Sequence, residues 1–191
     1  MYPIAIILAI GLAVTLERFI FLSREKSSNR RSFEEVLPML QKRDFRAALN
    51  YTNASDAKIS TIFAAGISRI PTGRREDIEL AMEEGVMEAI PQLEKRTQYV
   101  ATLANIATLM GLLGTIMGLI AAFTAVASAP AAEKAELLSQ SISVAMNTTA
   151  FGLMAAIPLI LLHSFLQSKT NEIVDSFEMA GVKLLNIVSE A

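Results

Sequence analysis

The sequence predicts an all-α integral membrane protein with three transmembrane helices and long helical extensions on one side of the membrane. Two observations favour this fold class. Residues 97–132 and 137–168 contain no Asp, Glu, Lys or Arg, and each stretch exceeds the roughly 20 apolar residues that cross a bilayer as a helix. In addition, 52% of the residues are hydrophobic and 19% are charged, a balance that suits a membrane protein better than a soluble domain.

A third apolar segment, residues 2–22, opens the chain. It lacks the basic start of a secretory signal peptide, and no small-residue cleavage site follows it. We therefore interpret residues 1–22 as a retained first transmembrane helix. Glu17 and Arg18 lie near its end, where they can reach the membrane interface or pair with each other.

Residues 23–98 read as a soluble helical region, because they carry 13 of the 17 basic residues and 12 acidic ones. Ser32 and Glu35 have the spacing of a capping box, which predicts a helix start. Pro38 is expected to bend or shorten that helix. Short helices are predicted over residues 44–51 and 57–69, followed by a turn at residues 71–73.

The pattern from Arg75 to Ala129 predicts one continuous helix that enters the membrane, with a kink at Pro91. The second transmembrane helix covers residues 99–129 of it. A short external loop, a third transmembrane helix and a helical tail complete the layout, at residues 130–139, 140–168 and 169–191.

The flanking cations predict the orientation. Four basic residues follow the first apolar segment and two precede the second, whereas the loop after the second contains only Lys134. Residues 23–98 and the tail are therefore expected in the cytoplasm, and the N-terminus and residues 130–139 outside. The six flanking cations are Arg24, Lys26, Arg30, Arg31, Lys95 and Arg96.

Small residues recur at helical spacing on both uncharged segments, and each set shares one helix face. Such faces indicate close helix packing or a polar path, since a helix surrounded only by lipid needs neither. We expect a candidate ion path at Thr115 and Thr149, with Ser143, Asn147 and Thr148 adding polarity on adjoining faces. The packing residues are predicted to be Gly111, Gly114, Gly118, Ala145, Gly152 and Ala156. The alternative is close packing alone, with each hydroxyl bonded to its own helix.

Two motifs carry a family resemblance. The chain reads Gly-Leu-Leu-Gly-Thr-x-x-Gly at residues 111–118 and Thr-Ala-x-Gly-Leu-x-Ala-Ala-Ile-Pro at residues 149–158. Together with the order of the apolar segments, these motifs resemble the MotA/TolQ/ExbB proton channel family, and the ExbB/TolQ branch fits best.

The resemblance implies a homopentamer in the lipid of the bacterial inner membrane, around an ExbD/TolR-like single-span partner with an intramembrane Asp. It implies that a proton or sodium gradient energises transport or envelope processes. Thr115 and Thr149 match the hydroxyl residues that face the partner carboxylate. Two departures stand out: Val144 replaces a Glu common in the branch, and Thr108 replaces a common Pro.

Other functions are excluded or retained as alternatives. Ser143 and His163 are twenty residues apart, about 30 Å along one helix, so they cannot form a catalytic dyad within one chain. We therefore expect that the protein is not an enzyme. His163 is expected to lie at the inner membrane interface. With one His and no Cys, the chain has neither a multi-histidine nor a thiolate metal site, and we expect no cofactor. A net charge of −2 argues against nucleic-acid binding.

Two alternative functions remain open. The chain could be a MotA-like flagellar stator subunit, or it could be a passive oligomeric scaffold.

Overall fold

The structure, a computed structural model of the chain, describes residues 2–72 and 74–189, and these residues contain helices and no strand. The α-helices are α1 (Tyr2–Gln41), α2 (Phe45–Ala54), α3 (Lys58–Arg69), α4 (Arg75–Glu94), α5 (Thr97–Ser128) and α6 (Lys134–Ser189), with a 3₁₀ turn at Ile70–Thr72.

Three segments of the described chain are long and apolar enough to cross a membrane: Tyr2–Gln41, Arg75–Ser128 and Lys134–Val188. Their most apolar windows have mean hydropathies of 2.2, 2.1 and 1.9, and fewer than a third of the positions in each window are buried within the chain. The prediction of an all-helical protein with three candidate membrane helices is confirmed.

The first helix differs from the sequence-based prediction. Ser32 does not begin a helix, because α1 runs unbroken from Tyr2 to Gln41. Its side chain is buried and hydrogen-bonds the Ser60 hydroxyl of α3. Pro38 lies inside α1, which ends three residues later. The pattern of Ser32 and Glu35 therefore reflects a contact between helices rather than a cap.

The two short helices occur close to their predicted positions. Asp44 caps α2, since its carboxylate accepts a hydrogen bond from the backbone N–H of Ala47 at 3.0 Å. The predicted turn coincides in part with the 3₁₀ turn, while its third residue, Gly73, lies outside the described residues.

The expected single helix from Arg75 to Ala129 is wrong. It is interrupted between α4 and α5 at Lys95 and Arg96, four to five residues after Pro91. Arg96 has a φ of 67°, the left-handed conformation that commonly ends helices but usually belongs to glycine. Because no glycine or proline marks this position, sequence signals could not reveal the break.

Helix α6 begins at Lys134, within the predicted loop 130–139, and continues through Pro158 to Ser189. The predicted third transmembrane helix and the helical tail are thus parts of one helix. The connection from α5 shortens to residues 129–133, in which the N–H of Glu133 bonds the carbonyl of Pro130 at 3.0 Å.

The chain forms two compact units. Among the described residues, the first comprises those up to Glu17 together with Arg96–Phe165, and the second comprises those from Arg18 to Lys95 and from Leu166 onward. The second unit is built around large apolar side chains. Phe63 is 1% exposed and stacks on Phe33, with ring centroids 6.0 Å apart, while Ile62, Leu40 and Phe177 are fully buried.

Arg18 is also buried in the second unit, at 3% exposure. Its guanidinium donates a hydrogen bond to the Leu93 carbonyl and lies 4.4 Å from the ring centroid of Phe21. Leu93 is in the last turn of α4, where carbonyls lack helical partners and a cation is favourable. Arg18 therefore caps the end of α4.

Candidate functional site

The contact between α5 and α6 in the first unit is built from the smallest residues. A Cβ added to Gly111 would lie 3.1 Å from the Gly152 Cα, and one added to Gly152 would lie 2.8 Å from the Ala107 carbonyl oxygen. At Gly118, an added Cβ would lie 2.6 Å from the Cβ of Ala145. Glycine is required here because the two backbones touch, as in closely packed membrane helices.

Gly114 and Ala145, two more of the predicted packing residues, lie on the same contact. A Cβ on Gly114 would lie 2.3 Å from Cγ2 of Thr148, so Thr148 packs against α5 through its methyl group. Ala145 and Ala156 are 0% and 2% exposed. The small-residue faces of the two helices therefore meet each other.

This close approach brings the two candidate hydroxyls together. Oγ1 of Thr115 lies 2.5 Å from Oγ1 of Thr149, and either can be the donor. Oγ1 of Thr149 lies 2.9 Å from the Gly111 carbonyl oxygen across the helix contact, and Oγ1 of Thr115 lies 3.3 Å from the same oxygen. Both threonines are half-buried.

The arrangement offers three oxygens and only two protons. Each hydroxyl donates one hydrogen bond, while each oxygen has lone pairs to spare. The proton between the hydroxyls can belong to either threonine, with the Gly111 carbonyl accepting from the other. Such a group can pass a hydrogen bond in either direction, or present several oxygen ligands to a small cation.

The remaining candidate residues do not join this group. The Thr148 hydroxyl donates to the Val144 carbonyl of its own helix at 3.1 Å. Ser143 and Asn147 are exposed and lie one turn apart on α6. Val144, at the position where the resembling branch commonly has Glu, is 60% exposed.

The sequence pattern predicts that both threonines lie on facing small-residue faces, but it gives no sign of the third oxygen beside them, the Gly111 carbonyl. A backbone oxygen has no sequence signature of its own. The glycine that lets a neighbouring hydroxyl reach this oxygen is, however, visible in the sequence. Sequence reasoning also missed the ion pair of Glu17 with Arg96, whose Oε1 and Nη1 atoms are 3.4 Å apart.

Within residues 2–72 and 74–189, no three His, Cys, Asp or Glu side chains come together as a metal site. The polar groups of the α5–α6 contact are instead hydroxyls and a carbonyl.

Comparison with known proteins points to one family. The family model of the MotA/TolQ/ExbB proton channel family matches residues 54–179. The biopolymer transport protein ExbB of Aquifex aeolicus is 32% identical over 109 residues, which cover 57% of this chain and 72% of that protein.

Two further relatives agree. The Tol-Pal system protein TolQ of Haemophilus influenzae is 33% identical over 97 residues, 51% of this chain and 42% of TolQ, so the match spans less than half of that relative. The biopolymer transport protein ExbB-like 1 of Synechocystis is 27% identical over the full length of this chain and 75% of its own.

The match to the family model covers both the α5–α6 contact and the hydroxyl pair, and with three apolar segments it describes a multi-pass membrane protein. The chain belongs to the MotA/TolQ/ExbB proton channel family, in its ExbB/TolQ branch.

Proposed function

We propose that this chain is the channel-forming subunit of an ion-driven motor in the bacterial inner membrane. Five copies surround an ExbD/TolR-like single-span partner that carries an intramembrane Asp. The N-terminus faces outward and residues 23–98 lie in the cytoplasm, as the flanking cations favour. The motor uses the proton or sodium gradient to energise transport or another process at the cell envelope, and this subunit is not an enzyme.

The observation that carries this proposal is the shared hydrogen-bond group of Thr115, Thr149 and the Gly111 carbonyl. If the hydroxyls served packing alone, each would bond within its own helix, as Thr124 does with the Ile120 carbonyl at 2.8 Å. Thr149 instead reaches across to α5. Being half-buried, the group keeps a side on which a partner can bind.

The mechanism follows from the cost of charge in a membrane. A carboxylate in low-dielectric surroundings is costly to keep charged, so its charged form readily takes up a proton from the gradient. Hydroxyls beside it stabilise the charged form when the proton leaves, because each can donate a hydrogen bond to the carboxylate. Thr115 and Thr149 would supply these bonds, while Thr148, Asn147 and Ser143 border the path on adjoining faces.

The α5–α6 contact also supports one alternative, a passive scaffold in which the small residues only pack. Replacing Thr149 by Val separates the two, since Val keeps the shape and lacks the hydroxyl. We expect Thr149→Val to assemble normally with its partner and to lose gradient-dependent activity by at least about tenfold, by analogy with the loss of a positioned proton-transfer group. The readout is energised activity in cells, normalised to the amount of complex in the membrane.

Two variants serve as controls. Thr149→Ser retains the hydroxyl and is expected to keep much of the activity. Thr124→Val removes a hydroxyl that bonds only within α5 and is expected to be fully active. Normal activity of both Thr149→Val and Thr115→Val in assembled complexes would favour the scaffold. If activity depended on external sodium at fixed pH, the chain would still be a motor subunit, but the driving ion would be sodium rather than the proton.

A further inference from the structure

Among the described residues of the first unit, two side chains on α5 and α6 each carry a buried polar atom without a hydrogen-bond partner. Thr97, the first residue of that helix, is 2% exposed. Its hydroxyl has no hydrogen-bond partner among the described residues, and the same holds for the buried Nε2 atom of His163 on α6. Burying a polar atom without a hydrogen bond is unfavourable, so each of these atoms calls for a ligand.

The register of the helix contact places these two side chains about one turn apart along the helices. Gly118 lies against Ala145, and Gly111 lies against Gly152. Seven residues backward along α5 therefore correspond to seven residues forward along α6, so the two helices are antiparallel. Eleven residues before Gly111 on α5 is Val100, and eleven residues after Gly152 on α6 is His163. Because eleven residues are close to three helical turns, Val100 should lie opposite His163. Val100 is fully buried and lies one turn from Thr97.

Helix α1 reaches the same end of the unit. A Cβ on Gly11 would lie 2.7 Å from the side chain of Leu159, one turn before His163. Beyond Gly11 on α1, the half-exposed Glu17 pairs with Arg96, the residue that precedes Thr97. Polar groups thus continue from an exposed ion pair to two buried, unpartnered atoms.

We propose that Thr97 and His163 bind water and form the cytoplasmic end of the ion path, through which protons leave. This inference rests on the proposed function, because it extends the path that begins at Thr115 and Thr149. His163 lies fourteen residues beyond Thr149 on α6, about 21 Å along the helix.

The chemistry favours a proton over a sodium ion. A neutral imidazole accepts a proton on one nitrogen from a hydrated proton, and the resulting imidazolium releases a proton to water beside Glu17 and Arg96, which returns the ring to neutral. Hard cations prefer oxygen ligands, which an imidazole does not provide. The Thr97 hydroxyl would hold the water against the ring.

Water contact can be tested directly, because His163 is the only histidine of the chain. With ¹⁵N-histidine in the complete complex in lipid bilayers, solid-state NMR is expected to show magnetisation transfer from water to the ring nitrogens. Thr97→Val should weaken that transfer and shift a ring nitrogen resonance. Thr102→Val, which removes an exposed hydroxyl bonded to the Gln98 carbonyl, should do neither. A ring without water contact, or one unaffected by Thr97→Val, would overturn the proposal.

Proton flux provides the second arm. We expect His163→Phe and His163→Gln to lower flux by at least about tenfold in assembled complexes, since glutamine can bond water but cannot carry the proton. Normal flux in His163→Gln would contradict proton transfer by this residue. If Thr149→Val is inactive while both His163 variants work, only this inference fails; if all three work, the proposed function fails as well.

Discussion

The two units of the molecule use opposite packing strategies. In the first, α5 and α6 meet through glycine and alanine, and the Thr149 hydroxyl bonds a backbone carbonyl of the neighbouring helix. In the second, the interior is filled by large side chains such as Phe63, Phe177 and Leu40. Burying large apolar side chains stabilises a unit in water, whereas in lipid only close contact and hydrogen bonds distinguish a neighbouring helix from the solvent. A hydroxyl can therefore lie in the first contact when it is hydrogen-bonded there, as that of Thr149 is.

The largest expected effect on stability comes from removing a large buried side chain from the second unit. Phe63→Ala removes a ring that is 1% exposed and stacked on Phe33, so the free energy of unfolding of this unit should fall by about 3–5 kcal/mol. Denaturant-dependent proteolysis of residues 23–95 would measure the loss. A change below about 1 kcal/mol would show that this ring does not support the interior.

Overfilling the first unit should have a smaller but more specific effect. The Cβ of Gly152→Ala would lie 2.8 Å from both the Ala107 carbonyl oxygen and the Gly111 Cα, and neither backbone atom can rotate away. We expect the free energy of unfolding to fall by about 1–3 kcal/mol. Ion-driven activity should also fall, because Thr149 moves away from Gly111. Thermal unfolding in detergent and energised activity check the two effects. Wild-type values for both would show that the helices do not touch here.

The smallest effect, with the opposite sign, is expected at a glycine of the same helix in the other unit. A Cβ on Gly181 would meet only the methyl group of Met82, at 3.6 Å, an ordinary contact. Alanine is the better helix former, so Gly181→Ala should stabilise the second unit by about 0.4–1 kcal/mol. The same proteolysis measures it, and a destabilisation as large as that of Gly152→Ala would erase the distinction between the units.

Much of the fold could be predicted because long uncharged segments and small-residue faces are strong signals. The pairing of Thr115 with Thr149 also follows from such faces, once two helices are assumed to meet. The break at Arg96 could not be predicted, since a non-glycine residue in the left-handed conformation leaves no mark in the sequence. The misreading of Ser32 has a similar cause: a serine bonded to Ser60 of another helix looks like a cap when only its neighbours are visible.

The central claim is that Thr115 and Thr149 act on the ion as one group, and a double-mutant cycle tests it most directly. Proton flux would be measured in vesicles containing the assembled complex with Thr115→Val, Thr149→Val or both. Residues that act as a unit are not additive, so we predict that each single variant loses at least about tenfold and that the double variant is within about twofold of either. Normal flux in either single variant, or losses that multiply in the double variant, would contradict the account.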